Sequence, residues 1–440
     1  MKKVTLLFVC CLVLLHTQAQ DLKQLDTYLE TLFKHSKIMG NLAISKDGQT
    51  IYNKSVGYQT IGNQGNTPIT EQSKFRIGSI TKTFTAVMIF QLIDEGKIEI
   101  DDKLSKYFPQ LPNAENITIK NLLNHSSGLF DITQDENFNE QQKSTRNQML
   151  EIINSHKQNF KAGRKHEYCN TNYLLLGYIL EDIECLSYGE VLNNRIVKKL
   201  NLTNTYHGDV IDRSKNECLS YYFEDDASLH EANQADMSNP GGAGAIVSNP
   251  SDILVFINAL FSGKLISKHS LDIMTTVKGE YGSGILSAKK NGMTFYAHNG
   301  TIDFFRSMYV YIPEHNIALA LNTNALDYGM MPIMFTVVAA LSGETIEIPT
   351  FNSIALSKEE LEQFVGTYSS DELPFNLIFK TDGKVLKGAP EGSNLKELKP
   401  TSKNEFVLES MGVNLKFNLK NNTLVFKQAG ESTKTLTKIN

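Results

Sequence analysis

The run from Ile80 to Leu92 constrains this chain most. Apolar residues return there at helical spacing (Ile80, Phe84, Val87, Met88, Leu92), and Asp94-Glu95-Gly96 reads as the stop. The pattern predicts a buried helix with Ser79 at its mouth and Lys82 one turn later on the same face. A serine hydroxyl is a poor nucleophile until a base takes its proton. A lysine can be that base only where burial or neighbouring cations lower its pKa. The helix N-terminus adds backbone N–H groups and a positive dipole end, which favour negative charge on the serine or its adduct. Two other Ser-x-x-Lys matches, Ser287–Lys290 beside an Asn-Gly turn and Ser393–Lys396 in a Gly/Pro-rich stretch, open no apolar helix.

The chain has 440 residues, enough for two or three domains with a real core. A net charge of −5 and the lack of a Lys/Arg cluster exclude a nucleic-acid partner. At the N-terminus, Met1-Lys2-Lys3 precedes an apolar run from Val4 to Leu15, and Thr17-Gln18-Ala19 offers a small-x-small cleavage site. This predicts a signal peptide over residues 1–19 and a secreted or periplasmic product, with no stable membrane insertion after cleavage. Cys10 and Cys11 leave with that segment. The odd set Cys169, Cys185 and Cys218 has no metal-ligand spacing, so small buried thiols are expected, with no metal and no cofactor.

In chain order the pattern predicts an amphipathic helix from Asp21 to about Met39, then strands around an Asp47-Gly48 hairpin turn. After the Ser79 helix comes a short capped helix over Thr118–Leu123, then a polar helical stretch from Asp131 to about Phe160. An apolar helix over Tyr173–Ile183 and a capped helix from Ser248 to Leu260 follow. From Gly282 the signature turns to strands: Gly284–Leu286, Met293–His298, Phe304–Ile312 and Ile317–Asn322. A last helix covers about Met331–Leu341. The fold class expected is α+β: an antiparallel sheet flanked by helices, with an all-α subdomain inserted. A linker spans 344–357, Ser357-Lys358-Glu359-Glu360 is a capping box, and alternating strands over 358–440 predict a small all-β barrel or sandwich. The catalytic domain is expected over 20–343.

Two further pieces suit a serine–lysine acyl-transfer site. Tyr168-Cys169-Asn170, the only Tyr-x-Asn in the chain, lies on a loop before a helix. A tyrosine beside a cationic lysine can have its pKa lowered and relay a proton, and Asn170 can orient Lys82 and hold a substrate carbonyl. His298-Asn299-Gly300 ends a strand: Gly300 lets substrate backbone approach, and Thr301 N–H can join Ser79 N–H as an oxyanion donor. His298 is a candidate for proton transfer or for binding an acidic substrate group.

Together these motifs resemble, in order and spacing, those of the serine β-lactamase and penicillin-binding superfamily. The histidine in the third motif is similar to the class C-related branch of D,D-peptidases, D-aminopeptidases and family VIII esterases. Leu122-Leu123-Asn124-His125-Ser126-Ser127-Gly128-Leu129 and Gly241-Gly242-Ala243-Gly244 resemble structural signatures of that branch, and the C-terminal piece resembles lipocalin-like domains. The resemblance implies Ser79 as acylated nucleophile, Lys82 and Tyr168 as proton-transfer partners, and Asn170, His298, Gly300 and Thr301 as substrate-binding positions. It implies a peptidase or esterase acting on a small molecule or short peptide, a peptidoglycan fragment included. The alternatives are a slow penicillin or peptidoglycan sensor and a class C-like β-lactamase. Phe304, Phe305 and Arg306 depart from the Gly-Phe-Ser segment of many relatives and are expected to reshape the pocket.

Overall fold

The computed structural model describes residues 22–62, 65–224, 228–277, 279–290, 292–428 and 432–440. The predicted signal segment lies outside them. The described chain forms two compact units: Ile38–Leu326, and the N-terminal helix through Lys37 together with Asp327–Asn440.

The first unit is built on a six-stranded antiparallel sheet. Its order is Leu286–Lys290, Met293–Ile302, Phe305–Ile312, Ile317–Leu326, Ile38–Lys46, Gln49–Val56, so the two ends of the unit meet at the sheet centre. Asp47 and Gly48 both take positive φ (52° and 75°), the backbone a two-residue hairpin turn requires. Between Val56 and Leu286 helices alternate with long loops, and among the described residues three short sheets are laid into them. At the centre runs the helix Thr81–Asp94, in which every residue from Thr81 to Leu92 is buried. Phe84 stacks on Phe256 of the helix Pro250–Phe261 at 3.7 Å between centroids. An all-round apolar sequence is what such encirclement needs.

Several expectations shift in detail. The first helix covers residues 22–34, and Ile38–Met39 already belong to the central strand. The stretch predicted as helical from Asp131 to Phe160 is mostly loop. It holds only a single turn at Ile132–Gln134 and the helix Arg146–Ser155, because Asp131 and Asp135 use their carboxylates to bond nearby backbone N–H groups in turns. The strand expected at Gly284–Leu286 instead starts at Leu286, which places the second Ser-x-x-Lys on an edge strand.

In the second unit the segment after Ser357 opens with the predicted capping box and closes into an eight-stranded antiparallel barrel. Four of its strands, Gly366–Ser369, Leu386–Pro390, Lys396–Ser402 and Lys434–Lys438, carry too few large apolar residues to show in the sequence pattern. Phe364, Tyr368, Phe379, Phe406 and Phe417 fill its interior.

Candidate active site

Ser79 lies in a one-turn 3-10 segment, Gly78–Ile80, that runs into the buried helix. Gly78 takes φ +52°, and a side chain there would collide with Thr301 backbone at 2.7–2.9 Å, so the turn is tight against the strand Met293–Ile302. Lys82 is wholly buried and its Nζ has three polar neighbours: Ser79 Oγ at 2.9 Å, Asn170 Oδ1 at 2.9 Å and the Ala243 carbonyl at 2.8 Å. Burial pushes the Lys82 ammonium down to about 7, with the Asp131 and Cys169 charges opposing. The two carbonyl-type oxygens can only accept. A neutral Lys82 amine therefore spends both its N–H bonds on them and aims its lone pair at Ser79 Oγ.

Asn170, first residue of the helix Asn170–Glu184, is itself held in place. Its backbone N–H and its Nδ2 both donate to Asp131 Oδ2, at 3.0 and 3.1 Å, which fixes the amide with Oδ1 toward Lys82. One Nδ2 hydrogen remains for a substrate carbonyl. The loop before it hangs on the Leu122–Leu129 signature. His125, in the left-handed region at φ 54°, accepts Cys169 N–H on Nδ1 at 3.1 Å and Glu167 N–H on its carbonyl at 2.9 Å. Its ring lies 4.3 Å from the Tyr168 ring between centroids. Burial and the nearby Lys82 keep His125 neutral. Tyr168 sits with its ring 4.9 Å from Lys82 Nζ. Desolvation pushes its phenol up, opposed by a hydrogen bond with Ser79. The expected lowering beside a cation is absent because Lys82 is poised near neutrality. Tyr168 is thus a protonated hydroxyl, able to donate. Cys169 is buried and its thiol is pushed up to about 12; Cys218 is likewise buried, whereas Cys185 is exposed.

The third wall is the free edge of the strand Met293–Ile302, whose neighbour Leu286–Lys290 pairs only as far as Ala297. A Cβ on Gly300 would lie 1.9 Å from the Ile77 carbonyl and 3.1 Å from Ser79 N, so only glycine lets the strand close on the nucleophile turn. Ile302 and Phe305 close the hairpin, so alternation turns the Thr301 N–H outward to the open edge, where Thr301 and Ser79 line one cavity. His298 is engaged elsewhere. It is buried, its Nδ1–H donates to the Asn299 carbonyl at 2.7 Å, and its Nε2 accepts from Tyr281 OH at 2.9 Å. Burial pushes it down to about 3, so it is a neutral ring with both nitrogens occupied. The structure thus gathers Ser79, Lys82, Tyr168, Asn170, Gly300 and Thr301 and leaves His298 as their support.

Sequence reasoning missed Asp131 and the direct part played by the Ala243 carbonyl. The Gly241–Gly244 motif was visible, and its purpose is close packing: a Cβ on Gly242 would meet the Tyr173 carbonyl at 2.7 Å. Asp131 carries no local mark, and only its fold neighbours reveal it. The cavity over Ser79 measures about 620 Å³. Leu174 and Phe138 give it apolar wall, and Tyr222, Phe304 and Arg306 line another part. Phe305, expected in the pocket, instead lies buried against Phe75.

The arrangement holds the parts that serine acyl transfer needs: a hydroxyl, a buried amine beside it and an open strand edge. Protein flp of Staphylococcus aureus (strain MRSA252) is 27% identical over 318 residues, covering 69% of this chain; the match spans only 62% of that protein's length. The structure of D-amino acid amidase from Ochrobactrum anthropi SV3 is similar at a TM-score of 0.64 and 25% identity, over 73% of this chain and 98% of that one. The octameric penicillin-binding protein homologue from Pyrococcus abyssi shares the fold over 95% of this chain and 100% of its own, at a TM-score of 0.66 and 22% identity. Residues 25–341 match the Beta-lactamase family, and with most of its length so matched the chain belongs to that family, within the serine β-lactamase and penicillin-binding superfamily.

Proposed function

We propose that this chain is an exported serine hydrolase that works through an acyl-enzyme on Ser79, cleaving amide or ester bonds of small substrates with a D-configured acyl part. The observation that carries the reading is Lys82 Nζ, held between Ser79 Oγ, Asn170 Oδ1 and the Ala243 carbonyl with its pKa near 7. Ser79 Oγ attacks the substrate carbonyl while its proton passes to Lys82. The developing oxyanion accepts from Ser79 N–H and Thr301 N–H. Asn170 Nδ2 holds a substrate carbonyl, and Tyr168 OH hands its proton to the leaving group and takes back the proton that Lys82 received from Ser79. Water then attacks the acyl ester as Lys82 takes its proton, and that proton passes to Ser79 Oγ when the acyl group leaves. Likeness to a D-amino acid amidase supports the D-configured acyl part. Residues 1–19 and 20–343 are assigned to signal and hydrolase, with the barrel as an accessory domain.

The test is intact mass after exposure to a fluorophosphonate. The unchanged protein gains one adduct and Ser79→Ala gains none. An adduct that persists on Ser79→Ala overturns the assignment.

One observation favours slow release of β-lactams, the behaviour of a sensor. The carboxylates lining the cavity are Glu140, which is exposed, and Asp303, which is tied to Arg76. Neither is placed to activate water beside a ring amine that stays tethered to the acyl group. Penicillins are therefore expected to acylate Ser79 slowly and leave slowly, while small esters and D-aminoacyl amides turn over.

A further inference from the structure

Arg76 lies three residues before Ser79, on the two-residue strand Phe75–Arg76, and only 2% of its side chain is exposed. Its guanidinium is spent inside the protein. Nη1 donates to Asp303 Oδ2 at 2.7 Å and to the Ala235 carbonyl at 2.9 Å, and Nη2 donates to the Asp209 carbonyl at 2.8 Å. Asp303, whose side chain is equally buried, closes the ring of bonds by accepting Ala235 N–H on Oδ1 at 2.8 Å. It stands two residues after Thr301, in the turn that follows the last hairpin pair Ile302–Phe305, and takes φ 50° there. One side chain thus ties the approach to the nucleophile to the far end of the strand that carries Thr301, and both to the cavity wall at Ala235.

The two oxyanion donors, Ser79 N–H and Thr301 N–H, sit on separate segments, so contacts across the fold have to set their spacing. The meeting of Gly300 with the Ile77 carbonyl is a stop: it limits how near the strand can come and does not hold it there. Ile302 packs on Ala235, Met237 and Ala245, an apolar contact without direction. The guanidinium is different, because its donors are fixed in one plane and each bond it makes has a set direction. Stability alone does not call for such a pair, since apolar side chains of similar volume often do as well in its place. We infer that Arg76 and Asp303 are positioning residues for the oxyanion hole: their pair holds Thr301 N–H at the spacing from Ser79 N–H that the developing oxyanion needs. Both act through Thr301. The inference rests on the Ser79 reading for where the reacting carbonyl lies.

The test compares 4-nitrophenyl acetate with its thiono analogue, which has sulfur in place of the carbonyl oxygen. With either ester Ser79 Oγ bonds to the acyl carbon, 4-nitrophenolate leaves and the serine proton passes to Lys82, so only the atom facing the two N–H groups differs. Sulfur is larger and a weaker acceptor, so a well-set hole favours the oxygen ester. Each kcat/KM for nitrophenolate release is divided by that ester's rate with hydroxide, and the oxygen-to-sulfur ratio is taken. In the unchanged protein the ratio is expected to be about 10²-fold or more, the worth of an oxyanion donor. It should fall by about 10-fold or more in Arg76→Met and in Asp303→Asn, and be kept in part in Arg76→Lys. Asp303→Asn retains a residue at ease in the left-handed turn and an acceptor for Ala235 N–H, so it serves where Arg76→Met does not fold. A merely structural role would slow both esters together and leave the ratio alone. A ratio unchanged in a variant that is folded by circular dichroism overturns the inference, as does a ratio near one in the unchanged protein. Fluorophosphonate labelling is scored separately. No adduct on the unchanged protein faults the acyl-enzyme reading, whereas an adduct on Ser79 with a ratio indifferent to Arg76 and Asp303 faults this inference alone.

Discussion

At the scale of single residues, the site turns on how Lys82 is kept from holding its proton. Burial lowers it to about 7, while Asp131 and Cys169 pull the other way. The base is the unprotonated amine, so acylation of Ser79 should rise with pH through about 7 and level off above it. Stopped-flow labelling across that range checks this, and a rate flat from pH 5 to 9 would remove Lys82 from the step. The same shift bears on stability. The unfolded lysine keeps its usual value near 10.5, so between about 7 and 10.5 the unfolded chain binds more protons and stability due to this group rises with pH. Lys82→Ala should lower acylation by about 10²- to 10⁴-fold, the ordinary worth of general base catalysis. Asp131 acts one step further out, by orienting Asn170 through two hydrogen bonds. Asp131→Ala is expected to slow acylation while leaving the pH midpoint near 7 or lower, since it removes a charge that raises Lys82. A midpoint that moves up would contradict the geometry.

At the scale of elements, the site is a meeting of backbones that side-chain chemistry then finishes. The clearest case is the approach of the strand Met293–Ile302 to the turn before Thr81. Gly300→Ala forces a methyl to within 1.9 Å of the Ile77 carbonyl, and neither partner is a flexible side chain that can yield. The strand must withdraw from Ser79, so this variant should lose acylation severely and cost about 1–3 kcal/mol of stability, as overpacking does. Thr301→Ala keeps the N–H and should label at close to the original rate. Labelling kinetics with thermal melts on the two variants test the pair, and a normal rate in Gly300→Ala would show that the strand edge is not part of the site. Here the reach of sequence reasoning is plain. Ser79, Lys82, Tyr168, Asn170 and Gly300 were legible because each sits in a short motif tied to one element. The neutral state of His298 was not, since it depends on burial by the folded chain, and the partner that occupies its Nε2, Tyr281, lies seventeen residues away on another segment. Nor was Asp131, whose meaning exists only once the loop and the helix Asn170–Glu184 lie side by side.

At the scale of the whole molecule, every residue of the site lies within Ile38–Leu326, while the barrel belongs with the chain's outer segments. The sequence marks a change of texture after Gly343, and a natural place to cut the chain is there. The structure shows what that cut would sever. Lys37 Nζ lies 2.7 Å from Asp327 and 2.8 Å from Glu409, with only 10% of its side chain exposed, and the turn Glu409–Met411 rests on the helix Met330–Leu341. A Cβ on Gly329 would come within 2.3 Å of the Ser410 carbonyl, a further sign of close packing at this point. These links join sequence positions far apart, so no local pattern announces them. A chain ending at Gly343 keeps Ser79, Lys82, Tyr168, Asn170 and Thr301 but strips Lys37 of one carboxylate and uncovers one end of that helix. It should still take a fluorophosphonate adduct at a comparable rate while melting at a lower temperature than the full chain. Lys37→Met in the full chain should reproduce part of that loss, about 1–3 kcal/mol for a charge-assisted pair of this burial, with labelling intact. A truncated protein that is folded by circular dichroism yet fails to react would mean that the outer unit supplies part of the active site.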